Sequence, residues 1–174
     1  MGRVGQSILV RSPCRSDVDG LVSVYASSGF FDFLPSNPGE PIIRATIQAY
    51  LDELEAQPKL MVYLAAEQEK QIAGFCISRR SVPGRWQVQV GVRSDHRRRG
   101  VGRALLSHAF LEMCRHGPAE VEAVVHPSNR ASIRMLAPFF LFQDESRSLP
   151  GFWRFWNDLG NYGAIRGKRS FVPI

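Results

Sequence analysis

Residues 92–106 read Val-Arg-Ser-Asp-His-Arg-Arg-Arg-Gly-Val-Gly-Arg-Ala-Leu-Leu. Arg97, Arg98, Arg99 and Arg103 crowd around Gly100 and Gly102 before the chain turns apolar. Neighbouring guanidinium groups repel one another, so an anion is the natural partner for such a stretch. On its N-terminal side Arg85–Val92 (RWQVQVGV) alternates as a strand, with Gly91 marking a bulge or a close approach. On its C-terminal side Val101–Arg115 predicts a helix with an apolar face of Leu105, Ala109, Phe110 and Met113, stopped by Gly117-Pro118. A strand, a loop and a helix start place free backbone N–H groups and the positive end of a helix dipole at one spot, and phosphate fits there. Glycine at 100 and 102 removes Cβ atoms from the approach, and the arginines favour a highly charged anion.

Upstream, 7–11 predicts a short strand and 15–27 a helix behind the cap candidate Ser16, with Val18, Leu21, Val22 and Tyr25 at helical spacing. The loop 27–39 (SSGFFDFLPSNPG) holds Phe30, Phe31 and Phe33 around Asp32, and Pro41 suits the first turn of a helix reaching about Ala56. Residues 60–67 and 71–79 read as antiparallel strands. Downstream, 121–126 is a strand, 128–137 a helix capped by Ser128, and 140–146 with 152–156 a hairpin. The whole is mixed α/β, an antiparallel meander feeding a strand–helix–strand unit.

With 174 residues, 44% hydrophobic and 22% charged, the chain fits one compact domain, its core about 7–157 and a basic tail 158–174. No apolar run is long enough for a membrane span or a secretory signal, so a soluble cytoplasmic protein is expected. Cys14, Cys76 and Cys114 lack metal-ligand spacing and sit in surroundings typical of buried thiols, so neither a disulfide framework nor a metal site is expected. The net charge of +6 is local. Residues 93–103 hold five arginines and one acid, which argues against a broad nucleic-acid face, and Arg166–Arg169 reads as a solvated tail cluster.

Among phosphate-binding turns, a Walker loop would need Gly-Lys-Ser or Gly-Lys-Thr, which is absent. A dinucleotide fingerprint would place its third small residue at 105, where Leu105 sits, and its ribose-binding acid where His126-Pro127 sits. The segment 92–106 resembles instead the acetyl-CoA-binding motif of the GNAT acetyltransferase superfamily. Arg97, Gly100 and Gly102 fill its three slots, and Ser94 stands where the family usually has proline. A second segment, VVHPSNRASIRML, with Asn129 and Ser132 three apart, falls where the family expects a strand leading into a helix.

The resemblance implies a GNAT-like mixed, mostly antiparallel sheet of about six to seven strands with helices on both faces. It implies acetyl-CoA as co-substrate and no metal. The pantetheine arm would pair with Val90, Gly91 and Val92, the pyrophosphate would sit on the turn Arg97, Arg98, Arg99, Gly100, Val101, Gly102 and Arg103, and Asn129 and Ser132 would face the cofactor. The family's usual tyrosine, seven residues after the asparagine, is Leu136 here, so Tyr25, Tyr63, water or no acid at all would serve the leaving thiolate. Glu122 is the first choice of general base, with Asp32, His126 and His96 behind it. Gln89-Val90-x-Val92, Pro127-Ser128-Asn129-x-Ala131-Ser132 and Phe31-Asp32-Phe33 also resemble diaminobutyrate acetyltransferase. A small cationic amine held by Asp32 between Phe31 and Phe33 is therefore the expected acceptor. A protein N-terminal or lysine acetyltransferase, a non-catalytic acyl-CoA-binding module and a nucleic-acid-binding domain are the alternatives, and a homodimer is compatible with the first reading.

Overall fold

The structure is a computed structural model that describes residues 7–33, 36–82, 84–117, 119–147 and 149–161. Seven strands form one sheet: β1 (Leu9–Arg11), β2 (Met61–Gln68), β3 (Gln71–Val82), β4 (Arg85–Val92), β5 (Glu120–Val125), β6 (Phe142–Glu145) and β7 (Trp153–Asp158). Their order is β1-β2-β3-β4-β5-β7-β6, antiparallel throughout except between β4 and β5. Four α-helices accompany them: α1 (Val18–Tyr25), α2 (Glu40–Ala56), α3 (Val101–Arg115) and α4 (Arg130–Leu136). The parallel step is the one joined by α3, as a strand–helix–strand crossover requires.

Side-chain alternation divides the core between the two faces of the sheet. On one face α3 buries Val101, Leu105, Leu106, Ala109, Phe110 and Met113 against Trp86 and Val88 of β4 and Val121 and Ala123 of β5. On the other, α1 and α2 bury Leu21, Val24, Ile43, Ile47 and Leu51 against Met61, Tyr63, Phe75 and Ile77. Gly117, at φ +89°, ends α3 in the left-handed region that glycine tolerates best.

Several local expectations shift. A short 3-10 turn, Arg15–Asp17, precedes α1, so Ser16 is not the cap. Asn129 caps α4 in place of Ser128, its Oδ1 accepting the Ser132 N–H at 3.1 Å, which is the local reason for the three-residue spacing. Gly91 stays in register opposite Phe75, so no bulge forms there. A Cβ at 91 would instead lie 2.6 Å from Phe75 Cε1 and 2.7 Å from Phe30 Cε2, and the glycine serves close approach of two rings. Cys14 is exposed, Cys114 half-buried and Cys76 buried. Leu159 is buried in the α3-side core, beyond the expected boundary at 157, and Arg166–Arg169 lies outside the described residues.

Asp17 ties the first turn to the sheet. Its carboxylate accepts from Arg11 at 2.7 and 2.8 Å and from the Cys14 N–H at 2.8 Å. The Arg11 bond above all, with those from Cys14, holds its pKa down to about 2 from 3.8. A depressed carboxylate pKa contributes stability that is complete above the unfolded value and lost as pH falls through the folded one. Asp17→Asn is therefore expected to cost about 2 kcal/mol at neutral pH. The deficit relative to wild type should shrink as pH falls from about 5 toward 2, which urea unfolding across that range measures.

Candidate active site

β4 and β5 pair only at Arg85↔Glu120, Trp86↔Val121 and Gln87↔Glu122. Beyond that the two strands part, and a cleft of about 770 Å³ opens between them. Gln87 and Gln89 are exposed in the middle of a seven-stranded sheet because α1 and α2 cover only its β1–β3 side. The edge of Val88–Val92 that faces β5 has no strand partner in the described ladder, so its backbone groups, apart from Val92 O, which accepts from Arg97 Nε, are open to an amide-bearing arm. That is the room a pantetheine chain needs.

At the mouth of this gap stands the arginine–glycine turn. Gly100 is the N-cap of α3 at φ +86°, and Arg98 adopts φ +61° just before it. The N–H groups that begin α3 lack intrahelical acceptors by their position. Gly102 has a different reason from the one its motif suggests: a Cβ there would run into Met135 Sδ of α4. Glycine at 102 thus leaves room for the Met135 side chain of α4 against the start of α3.

The four arginines divide in direction. Arg98 and Arg103 line the cleft, while Arg99 turns away to pair with Glu69 of the β2–β3 turn at 3.2 Å. Arg97 lines the cleft too, yet its guanidinium donates to Ser28 O at 3.0 Å and Val92 O at 3.4 Å. His96 is buried beneath the turn and not in solvent. Its Nδ1 faces Gln68 Oε1 at 2.9 Å and its Nε2 meets Arg93 Nη2 at 3.0 Å. Because the arginine can only donate, Nε2 must accept and Nδ1 carries the proton. Burial first, and the Arg93 charge second, push the imidazole pKa down. His96 therefore braces the turn as a neutral ring and offers no free nitrogen for a base.

On the α1/α2 face the loop 27–33 spans the gap. Phe30 rests on Gly91 of β4, and Phe33 stacks on His126, just past β5, at 5.7 Å between centroids. Phe152, from the β6–β7 turn, meets His126 edge-on at 5.1 Å. Asp32 lines the cleft and is the only acid among its described lining residues. Phe31 does not line it, because it packs with Tyr25 and Phe30 onto the α1/α2-side core. His126 Nδ1 accepts the Ser128 N–H at 3.2 Å, which leaves Nε2 to carry the hydrogen of a neutral ring and removes it as a ready base.

Glu122 is buried one side chain behind the cleft wall. Gln87, which lines the cleft, donates from Nε2 to Glu122 Oε1 at 3.1 Å. The other oxygen has Arg154 Nη1 at 3.6 Å and Arg85 Nη1 at 3.8 Å. Tyr25 and Tyr63 lie in the core, where burial drives both hydroxyl pKa values up, and neither lines the cleft. Tyr50 of α2 and Arg79 of β3 do line it, with Arg79 over the tyrosine ring at 5.6 Å and paired with Glu53 at 2.9 Å. Sequence reading missed both, since only the packing of α2 on β3 brings them to the gap. Leu136, in the position expected for tyrosine, is buried in the α3-side core at the edge of the cleft.

The sheet thus opens along its one described parallel seam, over the arginine-bearing start of α3. The model of the acetyltransferase (GNAT) family matches residues 27–139, and the chain belongs to that family. No curated protein sequence matches it. Among solved structures, it is similar to the GNAT domain of S. lividans PAT, at 20% identity, 91% of this chain and 99% of that one, with a TM-score of 0.73. It is also similar to the PaiA N-acetyltransferase from Thermoplasma acidophilum in complex with coenzyme A, at 14% identity, 86% and 98% coverage and a TM-score of 0.69. A third, yncA from Salmonella typhimurium with its cofactor acetyl-CoA, shares 18% identity over 87% of this chain and 94% of that one, with a TM-score of 0.67.

Proposed function

We propose that this chain is an acetyl-CoA-dependent N-acetyltransferase whose acceptor is the primary amine of a small cationic metabolite. The observation that carries the reading is the cleft itself. It runs from an arginine-rich turn at the start of α3, along a strand edge without a ladder partner, to Asp32, the single acid among the described lining residues. When bound, acetyl-CoA supplies an acetyl group activated as a thioester. The turn from Arg97 to Arg103 holds the pyrophosphate through its N–H groups, Val90 to Val92 pair with the pantetheine amides, and Asn129 and Ser132 flank it from α4.

The chain's own residues then prepare the amine. A lysine-like amine has a pKa near 10.4 and arrives protonated, so one proton must leave before nitrogen can attack. Glu122 takes that proton across a solvent bridge past Gln87, and the nitrogen lone pair forms the C–N bond as the C–S bond breaks. Backbone N–H groups of the open β4 edge stabilise charge on the carbonyl oxygen, a contribution of about 2.7–4 kcal/mol per donor in comparable sites. Thiolate, with an ordinary pKa of about 8.5, leaves without needing the acid that Leu136 cannot provide, and the second proton, shed by the acylated nitrogen, passes to solvent.

Asp32, beside Phe33 and His126, holds the ammonium of the acceptor. Asp32→Asn is expected to raise the amine Michaelis constant by roughly ten- to a hundredfold, the worth of one charge-assisted contact, and to leave that for acetyl-CoA nearly unchanged. The experiment is a panel of small amines and diamines, with protein N-termini as competitors, run on wild type and the variant. Acceptor constants indifferent to the substitution, or a protein acceptor that outcompetes every diamine, would overturn the small-cation assignment.

A further inference from the structure

We infer that Arg97 is the positioning residue of the acceptor loop, strapping residues 28–33 to the end of β4 so that the acceptor site is assembled from the cofactor turn. The inference rests on the acetyltransferase reading above and deepens it, because the arginine's place in the motif suggests a phosphate ligand.

The geometry gives the side chain another task. Nε and Nη2 form one edge of the planar guanidinium, and that edge is occupied by Val92 O at 3.4 Å and Ser28 O at 3.0 Å. Nη1 lies on the loop side as well: a Cβ on Gly29 would sit 3.3 Å from it and 3.2 Å from Asp32 Oδ2. Gly29 adopts φ +74°, a conformation that side chains disfavour, where the loop lies close to both the guanidinium and the carboxylate. The described backbone bonds of the loop, Ser27 N to Val24 O and Phe30 N to Ser27 O, are local. Its hold on the sheet consists of the Arg97 fork at one end and ring contacts, Phe30 on Gly91 and Phe75 and Phe33 on His126, with Phe31 packed against the α1/α2-side core.

Those contacts carry the loop from the β4 side of the gap to the β5 side, with Asp32 between them. The backbone of Arg97 belongs to the turn that would grip the pyrophosphate, and its side chain grips the loop that would present Asp32. Fixing the turn fixes the root of the strap, so cofactor binding and acceptor-loop order are coupled, and by linkage the coupling is reciprocal. Lysine could reach one of the two carbonyls but has no fork to span both.

The test is amide hydrogen exchange over residues 28–33 together with calorimetric titration of acetyl-CoA, on wild type, Arg97→Ala and Arg97→Lys. In Arg97→Ala the loop should exchange about tenfold faster or more. Its dissociation constant for acetyl-CoA should rise by no more than the factor by which acetyl-CoA slows loop exchange in wild type, since only the coupling is lost and the N–H groups that begin α3 remain. Acetyl-CoA should slow loop exchange in wild type and not in Arg97→Ala, with Arg97→Lys between them. Loop exchange unchanged in Arg97→Ala, or acetyl-CoA binding weakened beyond that limit, overturns the proposal and returns the side chain to the phosphate. A wild-type chain that does not bind acetyl-CoA sinks the acetyltransferase reading separately, and the strap is then judged on loop exchange alone.

Discussion

Glu122→Gln is expected to lower turnover by about two to four orders of magnitude, the usual contribution of a positioned proton acceptor, with acetyl-CoA affinity nearly intact. The substitution keeps the shape of the side chain and a carbonyl oxygen for the bond from Gln87 Nε2. It removes the charge that faces Arg85 and Arg154, so thermal melts should accompany the kinetics. A variant that melts like wild type and still loses turnover has lost chemistry. A variant that turns over at the wild-type rate at neutral pH clears Glu122 of the role. The loss should shrink as pH is raised toward the pKa of the amine, because the acceptor then arrives already neutral and needs no base.

Acetyl-CoA at a hundredfold excess over its dissociation constant is expected to stabilise the wild-type chain by about 2.7 kcal/mol, roughly 5–10 °C in melting temperature. Gly102→Val should abolish that shift. Gly102 lines the cleft, so the branched side chain would stand against the N–H groups that open α3, and the Met135 thioether end must also swing aside. Gly100→Val should act by another route, since its Cβ would meet nothing nearer than Ile8 Cδ1 at 3.8 Å. Its cost is the left-handed φ of +86°, which valine adopts poorly and which shapes the N-cap. A full ligand-induced shift in both variants would remove the turn from cofactor binding altogether.

What could be read in the sequence was what depends on neighbours along the chain. The alternation of RWQVQVGV, the apolar face of α3 and the glycine-opened helix start gave β4, the turn and α3 close to their observed bounds. The antiparallel order with one crossover followed from them. Directions of side chains across the fold were not legible. Nothing local tells that Arg97 reaches back to Ser28, 69 residues away in sequence, or that Arg99 leaves for Glu69. Phe30, Phe31 and Phe33 look alike in sequence, yet two pack on the α1/α2-side core and one stacks on His126, because the loop crosses from one strand to another. Glu122 is a candidate base by its place on a strand, but that Gln87 stands in front of it depends on the parallel register. One signal was available and unused: two glutamines alternating with Trp86 and Val88 on a central strand announce a face that no helix covers.

The short pairing of β4 with β5 also bears on how the molecule breathes. Each side of it is a well-laddered leaf, β1 to β4 and β5 to β7, with long antiparallel registers inside each. Among the described residues the two leaves pair edge to edge at three positions, helped by the Arg85–Glu120 ion pair at 2.8 Å, the Gln87–Glu122 hydrogen bond and the Glu120 N–H to Gly84 O bond at 2.7 Å. Cooperative opening follows the boundary where the fewest bonds are lost, so the C-terminal leaf should loosen from the rest as a unit before either leaf frays within itself. A chain that clasps both leaves along this line, as a cofactor lying between them would, works as the missing rung of the ladder. Its largest protection against exchange and proteolysis should then appear in β5 and β7, remote from the turn proposed to hold its pyrophosphate.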